Sequence, residues 1–317
     1  MEALIKDFGF IIGTTLMYST PLIFVALGGV ITERSGIINI GLEGMMYFGA
    51  FVGAAVAYFT KDPWIGLLCA GLGGASLGLI HAIACVSFAA EQIVSGIAIN
   101  FLGPGIALFL SRMFFDGATQ TLTIPNKVPL PLSFLFGDGK LFPSSGFMDL
   151  VFNRFATVYL AFFMVALVWF ILYKTKLGMR LRSVGEHPEA ADTLGINVYR
   201  LRYGAVMASG FFAGLGGAAM SIAVVSRFSN TLISGQGFIA LAAMIFGKWK
   251  PQGAMLACLL FGGAKGLEIF MGAKGVPIPS SILATLPYVL TIVILVGVVG
   301  KQTPPAAIGK IFDKSGK

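Results

Sequence analysis

The stretch Lys174–Arg202, KTKLGMRLRSVGEHPEAADTLGINVYRLR, is the longest strongly charged interval in a chain otherwise built from apolar runs. Within it, Pro188 to Leu194 reads as a helix of about two turns. Pro188 suits the first helical position, the acids Glu189 and Asp192 lie near the positive end of the helix dipole, and Gly195 stands where the helix would stop. Such a loop between two membrane spans has a use if something outside the membrane grips it.

The rest of the chain supplies the membrane spans. Of its 317 residues 56% are hydrophobic, 11% are charged and 42 are glycine, far from the roughly 25% charge of soluble domains. Runs near the ~20 residues needed to cross a bilayer lie at Phe8–Ile31, Ile37–Phe59, Trp64–Phe88, Ile93–Phe115, Phe155–Tyr173, Tyr203–Val225, Leu232–Gly247, Gly253–Gly272 and Ile282–Gly300. This predicts an all-α polytopic membrane protein with about nine transmembrane helices (eight to ten), forming a single transmembrane domain over 1–317 with no soluble catalytic domain. The first run is too long for a signal-peptide core and is expected to stay as a span. Cys69, Cys85 and Cys258 lie in apolar runs without paired spacing, which argues for small core residues rather than metal or disulfides.

The net charge of +8 sits in loops without interleaved aromatic residues, so it points to orientation in the membrane and to contact with lipid, not to nucleic acid. If 174–202 is the cytoplasmic loop, alternation collects Arg34, Arg180, Arg182, Arg200, Arg202, Lys248, Lys250 and Lys310 on the same side. The positive-inside rule then predicts an outer N-terminus and an inner C-terminus. The outer loop 116–154, rich in proline and phenylalanine, is expected to lie against the membrane surface.

Glycine pairs four apart, Gly49/Gly53, Gly74/Gly78, Gly210/Gly214 and Gly262/Gly266, predict close helix crossings. Gly103-Pro104-Gly105 is expected to break or bend the fourth span and Pro21 to bend the first. A weak internal echo links Glu43-Gly44 with Gln236-Gly237, each nine residues after an arginine, Arg34 and Arg227. Opening from opposite sides, the two would form an inverted repeat.

Polar groups inside spans are costly and point to function. Asn39 and Glu43 are four apart on one helical face; Gln92, Ser95 and Asn100 lie at the start of the fourth run; Asn230 and Gln236 flank the mouth of the seventh. These seven form the expected substrate pathway, with amides and hydroxyls suited to a neutral solute. Lys265 and Glu268, three apart, read as a self-paired bridge, and His81 as a satisfied core residue. No G-x-x-x-x-G-K-[ST] phosphate loop is present, so ATP hydrolysis by that route is excluded. The scarcity of buried acids argues against an ion-coupled carrier, and the lack of a His/Asp/Glu cluster argues against a membrane enzyme.

The motifs ERSGIINIGLEGMM (33–46), EQIVSGIAIN (91–100) and VGEHPEAADTLGINV (184–198) resemble those of permease subunits of bacterial ABC importers in the ribose and branched-chain amino acid permease superfamily. Within it the chain resembles most the shorter permease of nucleoside or simple-sugar importers. The resemblance implies two cytoplasmic ABC ATPase subunits that bind ATP and magnesium, a second homologous permease and an extracytoplasmic substrate-binding lipoprotein. The permease itself would need no cofactor and perform no catalysis. It also implies that Glu186, His187, Pro188, Glu189, Ala190, Ala191, Asp192, Leu194 and Gly195 form the coupling helix. His187 stands where the family often has Asn, a substitution that would make the cap pH-sensitive. The expected cargo is a nucleoside, with a simple sugar or a branched-chain amino acid as alternatives, in a bacterial inner membrane.

Overall fold

A computed structural model describes residues 2–132, 146–276 and 303–313, with isolated positions between 279 and 293. The helices among them are α1 (Glu2–Glu33), α2 (Leu42–Thr60), α3 (Pro63–Ala82), α4 (Gln92–Phe114), α5 (Phe147–Phe152), α6 (Ala156–Lys174), α7 (Lys176–Glu186), α8 (Pro188–Thr193), α9 (Val198–Ala218), α10 (Gln236–Phe246) and α11 (Pro251–Ala273). Both α3 and α9 end in a π-helical turn, at Ile83–Ser87 and Ala219–Val224.

Local sequence sets the starts. Asp62 caps α3 by accepting from the Trp64 N–H at 2.8 Å with Pro63 at the first helical position. Glu91 accepts from Val94 N–H to cap α4, and Asn197 from Arg200 N–H to cap α9.

Seven of the described helices are long and apolar enough to cross a membrane. The expected nine is corrected in one place among the described residues. The seventh run yields only the 11-residue α10, which at 1.5 Å per residue rises roughly 16 Å, about half a bilayer core. Upstream of it Ser226, Ser234 and Gly235 hold positive φ (63°, 37° and 88°), so Ser226–Gly235 is irregular. The ninth run, Ile282–Gly300, falls largely outside the described residues. The second run also starts late, because residues 37–39 are not helical and α2 begins at Leu42.

The core is the bundle of α1, α2, α3 and α9. A Cβ on Gly74 would lie 2.1 Å from the Gly210 carbonyl oxygen, one on Gly214 2.1 Å from that of Ala70, and one on Gly49 2.3 Å from Gly214 Cα. Only hydrogen in place of a side chain lets α2, α3 and α9 meet at this distance, which is the packing that the glycine spacing predicts. Gly262 plays the same part between α11 and Ser19 of α1. At Gly103-Pro104-Gly105 α4 is continuous rather than broken, and Gly103 lets the α2 start approach, since a Cβ there would lie 2.2 Å from Gly44 O. Helix α1 is also continuous through Pro21.

The loops sort to two ends. At one, Arg34 donates to the carbonyls of Trp249 (3.0 Å) and Lys248, Arg202 donates to Lys310 O, and the 303–313 segment bonds to Gly185 and Gly36. This basic end also carries α7 and α8. At the other end the 121–129 segment bonds to Ser226 and Phe228, to Lys61 and to Ala156, and α5 packs on α1 at Gly9 and Gly13. Residues 133–145 of the expected outer loop lie outside the described residues.

Candidate functional site

Between α1 and α2 the chain is unwound from Gly36 to Gly41, and its backbone groups need partners that a helix would have supplied. Side chains from α3 and α4 provide them. The Ile38 N–H donates to Gln92 Oε1 at 2.7 Å, and the Ile38 carbonyl sits 3.1 Å from His81 Nε2. A carbonyl only accepts, so Nε2 carries the proton and Nδ1 accepts from the Ser95 hydroxyl at 2.8 Å. Asn100 is bidentate: Nδ2 donates to Ile40 O (3.0 Å) and Oδ1 accepts from Gly44 N–H (2.8 Å). Asn39, fully buried, donates to Ser209 Oγ on α9 at 3.0 Å.

Glu43, in the first turn of α2, joins this segment to the second irregular one. Its Oε1 accepts from Gly235 N–H and its Oε2 from Gly237 N–H, both at 2.6 Å. A carboxylate thus caps α10 from another helix, at the positive end of both α2 and α10. Four residues on, the Tyr47 hydroxyl bonds to the Asn230 side chain and, at 3.0 Å, to the Asn230 carbonyl.

Beyond the Glu43 cap lies a cavity of about 360 Å³ between α1, α10, α11 and the 231–234 segment. Gln236, Lys265, Glu268, Tyr18, Thr231 and Ser234 give it a polar side; Leu22, Met220 and Phe261 give it an apolar one. Lys265 and Glu268 form the expected ion pair at 2.7 Å, and the pair faces the cavity.

The seven expected pathway residues therefore divide. Asn39, Gln92, Ser95 and Asn100 hold the unwound backbone, Glu43 and Asn230 fasten the second irregular segment, and Gln236 alone of the seven lines the cavity. His81, a satisfied core residue as expected, belongs to the first group. Sequence reading did not single out Ser209, Tyr47 or Tyr18. The hydroxyls of Thr231 and Ser234, flanking the Gln236 echo, were the available signal for the cavity.

At the basic end, α7 is capped by Thr175, which accepts from Gly178 N–H, and α8 follows directly. Pro188 occupies the first helical position of α8 and Gly195 holds φ +78°, with the Ile196 N–H reaching back to Ala191 O at 3.1 Å. The helix is shorter than expected, six residues. His187 occupies the N-cap position, but its exposed side chain makes no capping bond, so the pH-sensitive cap is not formed. Ala191 is buried at 2% exposure, whereas Ala190 is exposed and Leu194 stands 81% exposed.

Two irregular segments, 36–41 and 226–235, thus meet inside the helical bundle through the Glu43 carboxylate. The chain matches, over residues 11–299, the family model described as the permease component of the branched-chain amino acid transport system. It is 45% identical over 326 aligned positions to the guanosine ABC transporter permease protein NupQ of Bacillus subtilis, covering 98% of each chain. It is 43% identical to the nucleoside ABC transporter permease protein NupC of Lactococcus lactis, covering 96% of this chain and 97% of that one. To the putative glucose ABC transporter permease protein TsgC13 of Haloferax volcanii it is 34% identical, over 82% and 77% of the two chains. The chain belongs to this family of permease components, as a multi-pass subunit of a membrane transport system.

Proposed function

We propose that the protein is the membrane-spanning permease subunit of an ATP-driven importer that moves nucleosides into a bacterial cell by alternating access. The cargo rests on the two near full-length relatives whose names carry guanosine and nucleoside transport. The motor rests on α8, and the single observation that carries it is Leu194, a large apolar side chain 81% exposed at the tip of an ordered helix. Burying such a side chain against a partner is favourable by about 1.5–3 kcal/mol, and here it stands on a charged loop outside the apolar spans. Glu186 to Gly195 is then the coupling element, seated in a cytoplasmic ABC ATPase subunit that binds ATP and magnesium. The basic end faces the cytoplasm, with the N-terminus outside and the C-terminus inside; a second homologous permease and an extracytoplasmic binding lipoprotein complete the assembly.

The route from motor to path is contiguous. The Ala307 N–H donates to Gly185 O, the Ala306 N–H to Glu186 Oε2, and the Gly309 N–H to Gly36 O. Gly185 itself packs on the Arg34 carbonyl, where a Cβ would come within 2.2 Å. A displacement of α8 thus reaches Gly36, the unwound segment, Glu43 and the α10 N-terminus beside the cavity.

An inverted repeat would provide for alternating access, and the helix contacts have the exchange symmetry it requires. Exchanging α1 with α9, α2 with α10 and α3 with α11 maps the α1–α11 contact onto α9–α3, and the α2–α9 contact onto α10–α1; all four are present. The echoed dipeptides meet at the Glu43–Gly237 bond. Against an ion-coupled carrier stands Glu43 itself, since both its oxygens are occupied by backbone N–H groups.

The test is nucleoside uptake into vesicles holding the complete complex. Uptake should require ATP and should fall with Leu194→Asp while the complex still assembles. Uptake that persists without ATP, or glucose taken up in preference to nucleosides, overturns the corresponding half of the assignment.

A further inference from the structure

The Lys265–Glu268 pair has a feature that mutual neutralisation does not explain. Glu268 Oε1 accepts from Lys265 Nζ at 2.7 Å, but Glu268 Oε2 is buried and has no hydrogen-bond partner among the described residues. The ammonium carries three donors and the pair uses one of them. The two side chains are 40% and 15% exposed and both line the cavity of about 360 Å³. The unused donors of the ammonium and the carboxylate whose second oxygen lacks a partner thus belong to side chains that line a cavity at the lower end of the ~300–1,000 Å³ range of small-ligand sites. Tyr18, Leu22 and Phe261 offer flat and apolar surface in the same space.

We propose that Lys265 and Glu268 read the hydrogen-bonding edge of the transported nucleobase, with a 6-oxopurine as the best-matched class. Its ring carbonyl accepts from the Lys265 ammonium, and the adjacent ring N–H, with the exocyclic amine of guanine, donates to the Glu268 carboxylate. Adenine and cytosine offer a single amino donor beside a ring nitrogen, one donor fewer than guanine. Because the pair is neutral as a unit, it holds no surplus positive charge for a phosphate, and nucleotides are disfavoured. This assignment rests on the nucleoside reading above and deepens it.

The test uses the complete complex in proteoliposomes and compares guanosine, 1-methylguanosine and adenosine uptake by the wild type, Glu268→Gln, Lys265→Met and Lys265→Arg. Wild-type uptake ratios are corrected for the binding protein's own affinity for each nucleoside. Wild-type guanosine uptake should exceed that of 1-methylguanosine, which lacks the ring N–H. Glu268→Gln should lower guanosine uptake about tenfold, the size of one lost hydrogen bond to a charged group, and should lower adenosine uptake less. Lys265→Arg keeps the donors and should keep the guanosine preference, which Lys265→Met should lose. Equal losses for all three nucleosides, or an unchanged guanosine preference in both Glu268→Gln and Lys265→Met, overturn the proposal while leaving nucleoside transport standing. A wild-type complex that carries sugars but no nucleoside removes both.

Discussion

Glu43 and Gly237 are 194 positions apart in sequence, yet the Glu43 carboxylate accepts from the Gly237 N–H at 2.6 Å and from the Gly235 N–H at the same distance. The bond holds the start of the half-length helix α10 against the start of α2 at the centre of the bundle. Glu43→Gln keeps the volume but offers one acceptor to two N–H groups. An unsatisfied buried donor costs about 1–3 kcal/mol, so the melting temperature in detergent should fall by several degrees and uptake should fall with it. Unchanged melting and uptake would show that the cap is dispensable.

Asn100 separates a structural role from a substrate-binding one. Its amide supplies both an acceptor to Gly44 N–H and a donor to Ile40 O. Asn100→Leu leaves both backbone groups unpaired, at about 1–3 kcal/mol for each buried group. The loss should appear as lower stability and a lower kcat, with the KM for nucleoside little changed in complexes that assemble. A raised KM at unchanged stability would return Asn100 to direct contact with the cargo.

Much of this was legible in the sequence because apolar length and glycine spacing act locally. Seven runs became long helices, and Gly74 and Gly210 lie at a close crossing. The polar residues were legible as a set, since Asn39, Gln92, Ser95 and Asn100 stand out in apolar surroundings. Their partners were not: Ile38, Ile40 and Gly44 contribute backbone groups, which no residue type announces, and Ser209 lies on a helix 170 positions from Asn39. Nor does hydropathy reveal that Leu232–Gly247 is half a span, because Leu232 and Ile233 are buried in irregular chain as thoroughly as in helix. The pairing of Lys265 with Glu268 followed from their spacing, whereas the cavity they face depends on helices far apart in sequence.

The glycine crossing gives a prediction with an internal control. Gly74→Val places branched atoms where a Cβ alone would stand 2.1 Å from the Gly210 carbonyl oxygen. Overpacking typically costs about 1–3 kcal/mol, and here backbone must move, so little protein should reach the membrane. Gly204→Ala, on the same helix as Gly210 but with open space around it, should be neutral or slightly stabilising, since Ala exceeds Gly in helix propensity by about 1 kcal/mol. Membrane abundance and detergent melting measure both. Equal behaviour of the two variants would mean that the α3–α9 contact is not tight in the membrane.

The C-terminal segment ties α8 to the unwound path, and Phe312 is its anchor. The ring is 8% exposed and packs with Val184, Ala191 and Val198 at the base of α8, in contact with Tyr199. Arg202, itself buried, donates to Lys310 O and lies over the same ring. Phe312→Ala removes the anchor without touching the membrane helices, and core truncations of this type cost about 3–5 kcal/mol at full burial. If α8 is the coupling element proposed above, the spans should insert normally and ATPase subunits should still bind, but transport per ATP hydrolysed should fall, because the link from α8 to Gly36 through Gly309 is cut. Ending the chain at Gln302 should reproduce this result. Tight coupling in both variants would place the transmission in the direct Gly185–Arg34 packing alone, and Gly185→Ala would then be the variant that breaks it.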